Sequence, residues 1–111
     1  MRRTLVTVLV LVAALAVAAP TFAAVPSFNG SVGPGFTISM SKKPTKAGKI
    51  KVVVSDKSSS HNFHLSGPGV NVKTSVGSTG SKTFTITVKK GTYRFVCDPH
   101  ADSMKGSFKV T

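Results

Sequence analysis

All three histidines and the single cysteine of the 111-residue chain lie in two short segments, Ser60-His61-Asn62-Phe63-His64-Leu65 and Cys97-Asp98-Pro99-His100-Ala101-Asp102-Ser103-Met104. Thiolate, imidazole and thioether are soft donors, and together they suit copper; two His, one Cys and a weakly held axial Met form the blue-copper set. The donors expected here are therefore His61, Cys97, His100 and Met104. The second segment supplies three of them from one loop, where a tight turn at Pro99 lets His100 fold back beside Cys97. Parity decides between the two histidines of the first segment. In an extended strand His61, Phe63 and Leu65 share one face, and Asn62 and His64 share the other. With Phe63 and Leu65 in the core, His61 points inward and His64 stays at the rim; an outward bulge at Phe63 would reverse the choice. Singly, each residue reads as a surface His, an idle thiol or a gap-filling Met. The joint pattern Cys-x-x-His-x-x-x-Met, with His-Asn upstream, is what points to a metal.

Such donors need a rigid frame, and the sequence supplies period-two alternation rather than a helical repeat. Phe36, Ile38 and Met40 alternate with Thr37 and Ser39, and Ile50, Val52 and Val54 with Lys51 and Val53. Phe84, Ile86 and Val88 alternate with threonines, Tyr93, Phe95 and Cys97 with Thr92, Arg94 and Val96, and Phe108 with Val110 marks a last strand. Between them lie turn signals such as Gly33-Pro34-Gly35, Lys43-Pro44, Gly67-Pro68-Gly69 and Lys90-Gly91. The expected fold is an all-β Greek-key β-sandwich of about seven or eight strands. Residues 24–34 are expected as an N-terminal arm or edge strand, and 35–111 as the metal-binding domain.

The chain opens MRRTLVTVLVLVAALAVAAPTFAA. Two arginines, an apolar run and small residues before a break after Ala23 follow the order of a secretory signal, so residues 1–23 are expected to be removed on export to a periplasm, cell surface or exterior. A retained membrane anchor is the alternative, although the apolar run falls short of the roughly 20 residues that span a bilayer. The net charge of +12 comes from 15 Lys and Arg against three acids, Asp56, Asp98 and Asp102, with no Glu. That balance favours acidic proteins or an anionic envelope surface as partners. Lysines scattered along strands, in an exported chain, argue against nucleic acid. One cysteine cannot form an internal disulfide, so in an oxidising compartment it needs another role, such as a metal thiolate. No paired carboxylates, phosphate loop or nucleophile–base arrangement suggests an enzyme.

From Phe36 to Thr111 the chain resembles the cupredoxins, especially the small plastocyanin- and amicyanin-like proteins. The matching residues are Gly48 to Val54 with His61-Asn62, then Gly91-Thr92-Tyr93-Arg94-Phe95-Val96-Cys97, then Pro99-His100, Met104 and Gly106. The resemblance implies that His61, Cys97, His100 and Met104 hold one copper ion and that Asn62 ties the two ligand loops together. It implies a monomer that carries single electrons between redox partner proteins, with His100 as the electron portal, ringed by Ala101 and the Gly33–Gly35 and Gly67–Gly69 loops. Two other readings compete: an envelope copper-delivery protein using the same ligands, and a metal-free immunoglobulin-like surface module. The chain departs from the family in two places. Three residues separate His100 from Met104, where amicyanin-like loops have two and plastocyanin-like loops four, and Asp98 stands where a small hydroxyl residue is common. The Asp98 carboxylate is expected to accept a hydrogen bond from Asn62 and to favour the oxidised metal.

Overall fold

The computed structural model describes residues 9–16, 18–19 and 24–111. The expected signal, 1–23, thus falls largely outside the described residues. Within it, residues 9–16 form neither helix nor strand and expose Leu9, Val10, Leu11, Val12 and Leu15. Among the described residues no helix is long and apolar enough to cross a membrane.

Eight strands follow: β1 (Ser27–Val32), β2 (Ile38–Met40), β3 (Gly48–Asp56), β4 (His64–Gly67), β5 (Val70–Lys73), β6 (Gly80–Val88), β7 (Gly91–Val96) and β8 (Lys105–Val110). They form two four-stranded sheets, ordered β2-β1-β3-β6 and β5-β4-β7-β8. This is the all-β sandwich that the alternation implied. One pair, β1 with β3, is parallel; the other pairs are antiparallel. Residues 27–32 therefore sit inside a sheet, bonded to β2 on one side and β3 on the other.

Alternation becomes burial because each sheet turns one face to the other. Ile50, Val52 and Val54 of β3 face Leu65, Tyr93, Phe95, Phe108 and Val110 of the second sheet across a continuous core. Two aromatic stacks fill the second sheet's inner face: Phe63 on Phe95, with centroids 5.6 Å apart, and Tyr93 on Phe108, at 5.1 Å. These rings reach the sheet surface because glycines make room. A Cβ at Gly106 would collide with the Phe95 ring, and one at Gly67 with the Tyr93 ring.

The register gives the sandwich two poles. At one pole lie the ends of β1, β3, β5 and β7 and the starts of β4, β6 and β8. The connections 33–37, 57–63 and 97–104 meet there. The opposite pole holds the start of β1 and the connections 41–47, 68–69 and 89–90. Two expectations change accordingly. Phe36 is not a core residue of β2; it precedes that three-residue strand and is 70 % exposed. The Gly67–Gly69 turn does not ring the His100 edge, because β4 runs from its start at the metal-donor pole to a turn at the other, where Pro68 O accepts from Tyr93 Oη at 2.9 Å.

Candidate metal centre

Three donor atoms converge at the first pole. His61 Nδ1 lies 3.7 Å from Cys97 Sγ, His100 Nδ1 lies 3.6 Å from the same sulfur, and the two nitrogens are 3.2 Å apart. A point equidistant from all three is about 2 Å from each, the length of a metal–imidazole bond. Two imidazoles and a thiol that share one focus cannot all satisfy each other by hydrogen bonding, since a neutral ring has one donor nitrogen and one acceptor. A single soft cation satisfies all three, so the donor set fits copper both in chemistry and in shape. Among the described residues, His61, Cys97 and His100 are the group of three or more His, Cys, Asp or Glu that could hold an ion.

Each donor is delivered by a local device. Cys97 follows β7 in the inward parity of Tyr93 and Phe95 and is fully buried. A single 3-10 turn, Asp98–His100, with Pro99 in its first positions, then returns His100 beside it, and His100 N–H donates to Cys97 O at 3.0 Å. Met104 is fully buried and closes the same loop: its N–H donates to His100 O at 2.8 Å, and its carbonyl accepts from Cys97 N–H at 3.0 Å. The loop is thus tied by its own backbone, which holds three of the expected ligand residues in fixed relation.

His61 arrives by another route than a strand. Residues 61–63 are irregular, and β4 begins only at His64. Asp56 accepts from Ser58 N–H at 3.0 Å, Ser58 Oγ from Ser60 N–H at 3.1 Å and Ser58 O from His61 N–H at 3.3 Å, a short turn that swings the ring inward. His61, Asn62 and Phe63 are consecutively buried, which period-two alternation cannot represent. Gly33, at φ +73, lets the β1–β2 loop lie against this turn, since a Cβ there would stand 3.0 Å from Ser58 Cβ and 3.4 Å from His61 Cδ2.

Asn62 and Asp98 lock the two donor segments together. Asn62 Nδ2 donates to Asp98 Oδ2 at 2.8 Å, and Asp98 N–H donates to Asn62 Oδ1 at 2.8 Å. This is the contact expected of Asp98, in a reciprocal form. Asn62 also reaches Thr74 O at 3.3 Å, and Thr74 Oγ1 accepts from Phe63 N–H at 2.9 Å, which anchors the lock to the end of β5.

His64 stands on the other side of the sheet. Its Nδ1 is 2.8 Å from Asp98 Oδ1 and its Nε2 is 2.6 Å from Asn71 Oδ1. Both neighbours offer acceptor oxygens, so the ring donates to each when it is doubly protonated and to one when it is neutral. Burial works against the charged ring, but these hydrogen bonds and the Asp98 charge outweigh it and raise the His64 pKa above 6.5. Burial likewise opposes ionisation of Asp98, while His64 and Asn62 hold its carboxyl below 3.8.

Phe36 is the residue that sequence reasoning misplaced. Its ring sits edge-to-face on both imidazoles, 5.4 Å from His61 and 5.0 Å from His100. His61 is buried behind it, and His100 is half-buried and reaches the surface beside it. Its place after Gly33-Pro34-Gly35, a loop expected at this rim, was the available signal.

Residues 32–111 match the family described as copper binding proteins, plastocyanin/azurin family. Among solved structures, the dithionite-reduced auracyanin of the photosynthetic bacterium Roseiflexus castenholzii aligns over 80 % of this chain and 99 % of its own, with TM-score 0.56 and 22 % identity. Reduced rusticyanin aligns over 77 % of this chain and 78 % of its own, with TM-score 0.59 and 23 % identity. Auracyanin A, a "blue" copper protein of the green thermophilic photosynthetic bacterium Chloroflexus aurantiacus, covers 77 % and 98 %, with TM-score 0.52 and 16 % identity. At these identities the likeness is one of fold. No curated protein matches the chain.

Proposed function

The chain belongs to the plastocyanin/azurin family of copper-binding proteins, and from that membership we propose that it is an exported type 1 copper protein carrying single electrons between redox partners. Its cofactor is one copper ion. In this reading His61 Nδ1, Cys97 Sγ and His100 Nδ1 hold the ion and Met104 is the weak axial ligand. The observation that carries the reading is the donor triangle, with edges of 3.2, 3.6 and 3.7 Å.

Copper supplies a one-electron couple that is fast when its surroundings change little between the two oxidation states. The chain's part is to keep the donors still. Closure of the 97–104 loop, the Asn62–Asp98 lock and the buried ring of Phe63 all oppose their movement. In this reading four protein ligands fill the coordination sphere and leave no open position of the kind a hydrolytic site keeps, which supports a carrier rather than an enzyme. Electrons are proposed to pass at the half-buried edge of His100, where Phe36 offers an apolar contact for a transient partner. Without residues 1–23 the excess of 13 Lys and Arg over three Asp leaves +10, which draws acidic partners toward the molecule from a distance. The N-terminal segment supports export.

Loading the purified protein with Cu(II) tests this reading. An intense blue thiolate band that bleaches and returns over repeated reduction and oxidation is expected, and Cys97→Ser should abolish the band. Tight retention of colourless Cu(I) without reversible cycling would replace electron transfer with copper delivery.

A further inference from the structure

The poles of the sandwich differ in charge. All three acidic side chains, Asp56, Asp98 and Asp102, lie at the copper pole, where they offset Lys57, Lys73, Lys82 and Lys105. The opposite pole has no acidic side chain. It carries Lys46 and Lys49 toward the end of the β2–β3 connection and Lys89 and Lys90 in the β6–β7 turn, all exposed, whereas Lys43 of the same connection reaches back to place its Nζ 5.9 Å from the Phe95 ring centroid. The nine residues of β3 run between the poles, roughly 30 Å at strand rise. That is several times the Debye length of about 8 Å at physiological ionic strength, so each pole presents its own charge rather than the average.

The basic pole is also amphipathic. A groove of about 460 Å³ lies there, with Val25, Pro26, Phe28 and Ile50 among its apolar lining and Lys43, Lys46 and Lys49 around it. The chain enters the fold through this groove: Ala24 and Val25 line it, and Pro26 O accepts from Lys51 N–H at 2.9 Å.

We propose that this pole is a membrane-docking surface for anionic lipid headgroups, which holds the sandwich upright on a bilayer with the copper pole facing away. Clustered lysines beside apolar groups match the headgroup and acyl boundary of such a bilayer. A soluble polyanion would use the lysines but leave the apolar groove without a role. The arrangement also separates two tasks: charge anchors one end, while the near-balanced, Phe36-capped end remains free for partners.

The copper-loaded protein should be sedimented with vesicles of phosphatidylcholine alone and of phosphatidylcholine mixed with phosphatidylglycerol. Binding is expected for the anionic vesicles only, and to weaken as salt is raised. The combined variant Lys46→Gln, Lys49→Gln, Lys89→Gln should lose on the order of 100-fold in partitioning, against less than about threefold for Lys57→Gln, Lys82→Gln, Lys105→Gln, which removes the same charge from the other pole. An unchanged blue band shows that each variant is folded. Equal losses in the two variants, equal binding to neutral vesicles, or tight binding of soluble polyphosphate with none to vesicles would each overturn the proposal.

Discussion

At the residue scale, the chemistry depends on which atoms of ordinary side chains face one another. Asp98 is bonded on one carboxylate oxygen to Asn62 and on the other to His64, so its charge is shared between the donor lock and an outer imidazole. Asp98→Ser is expected to raise the reduction potential, on the order of 50 mV for one charge several ångströms from the metal. The effect should be largest above the His64 pKa, where no imidazolium offsets the carboxylate. Voltammetry at about pH 8.5 measures it, and an unchanged or lower potential would contradict the assignment.

The same pair sets a pH window for stability. Because the His64 pKa is raised on folding, its contribution is complete below the unfolded value of 6.5 and is lost as pH rises through the folded value. Because the Asp98 pKa is lowered, its contribution is present above the unfolded value of 3.8 and is lost as pH falls through the folded value. Their contact is therefore strongest between about pH 4 and pH 6.5. With Asp98 41 % exposed, the charge pairing is screened and worth about 0.5 kcal/mol. His64→Gln should cost that much in denaturant unfolding at about pH 5.5 and less at about pH 8.5; an equal cost at both would show that charge plays no part.

Residue types and spacing made much of this site legible. Soft donors concentrated in two segments named the chemistry, and the turn at Pro99 was readable from its own residues. Inward placement of His61 was also expected, but for a reason the structure changes: a serine-rich turn, not strand parity, aims the ring. The partnership of His64 with Asn71 depends on strand pairing between β4 and β5, and no local pattern contains it.

At the element scale, alternation located strands well wherever one face is buried, because a shift of one residue would exchange core and solvent faces. It failed at Phe36, since β2 has only three residues and periodicity has no means of marking where so short a strand begins. Turn residues marked the Gly67–Gly69 bend but not its pole, which follows from the direction of β4. The glycines facing aromatic rings carry a sharper consequence. Gly106→Ala would press a methyl into the Phe95 ring, which stacks on Phe63, and should destabilise by about 1–3 kcal/mol. Gly77→Ala, with open space and no positive φ, should change stability little. Denaturant midpoints compare the two, and equal shifts would dismiss the ring contact as a constraint.

At the scale of the whole molecule, a small sandwich buries a limited core, and metal binding adds to its stability by mass action. At free copper about 1,000 times Kd the gain is about 4 kcal/mol, so stripping the metal with a chelator should lower the melting temperature by more than 10 °C, roughly scaled to a domain of this size. Calorimetry of both forms measures this, and coincident transitions would mean that the ion contributes nothing to the fold. Fold class was legible from alternation and the absence of a helical repeat. The division of charge between poles was not, because it depends on which turns share an end, and only the topology decides that.

X-ray absorption at the copper edge tests the donor triangle most directly. The copper-loaded protein is expected to show two imidazole nitrogens and one sulfur in the inner coordination sphere, with the sulfur absent in Cys97→Ser and one imidazole missing in His61→Ala. A shell of oxygen and nitrogen alone, or one unaffected by either substitution, would contradict a copper ion held by His61, Cys97 and His100.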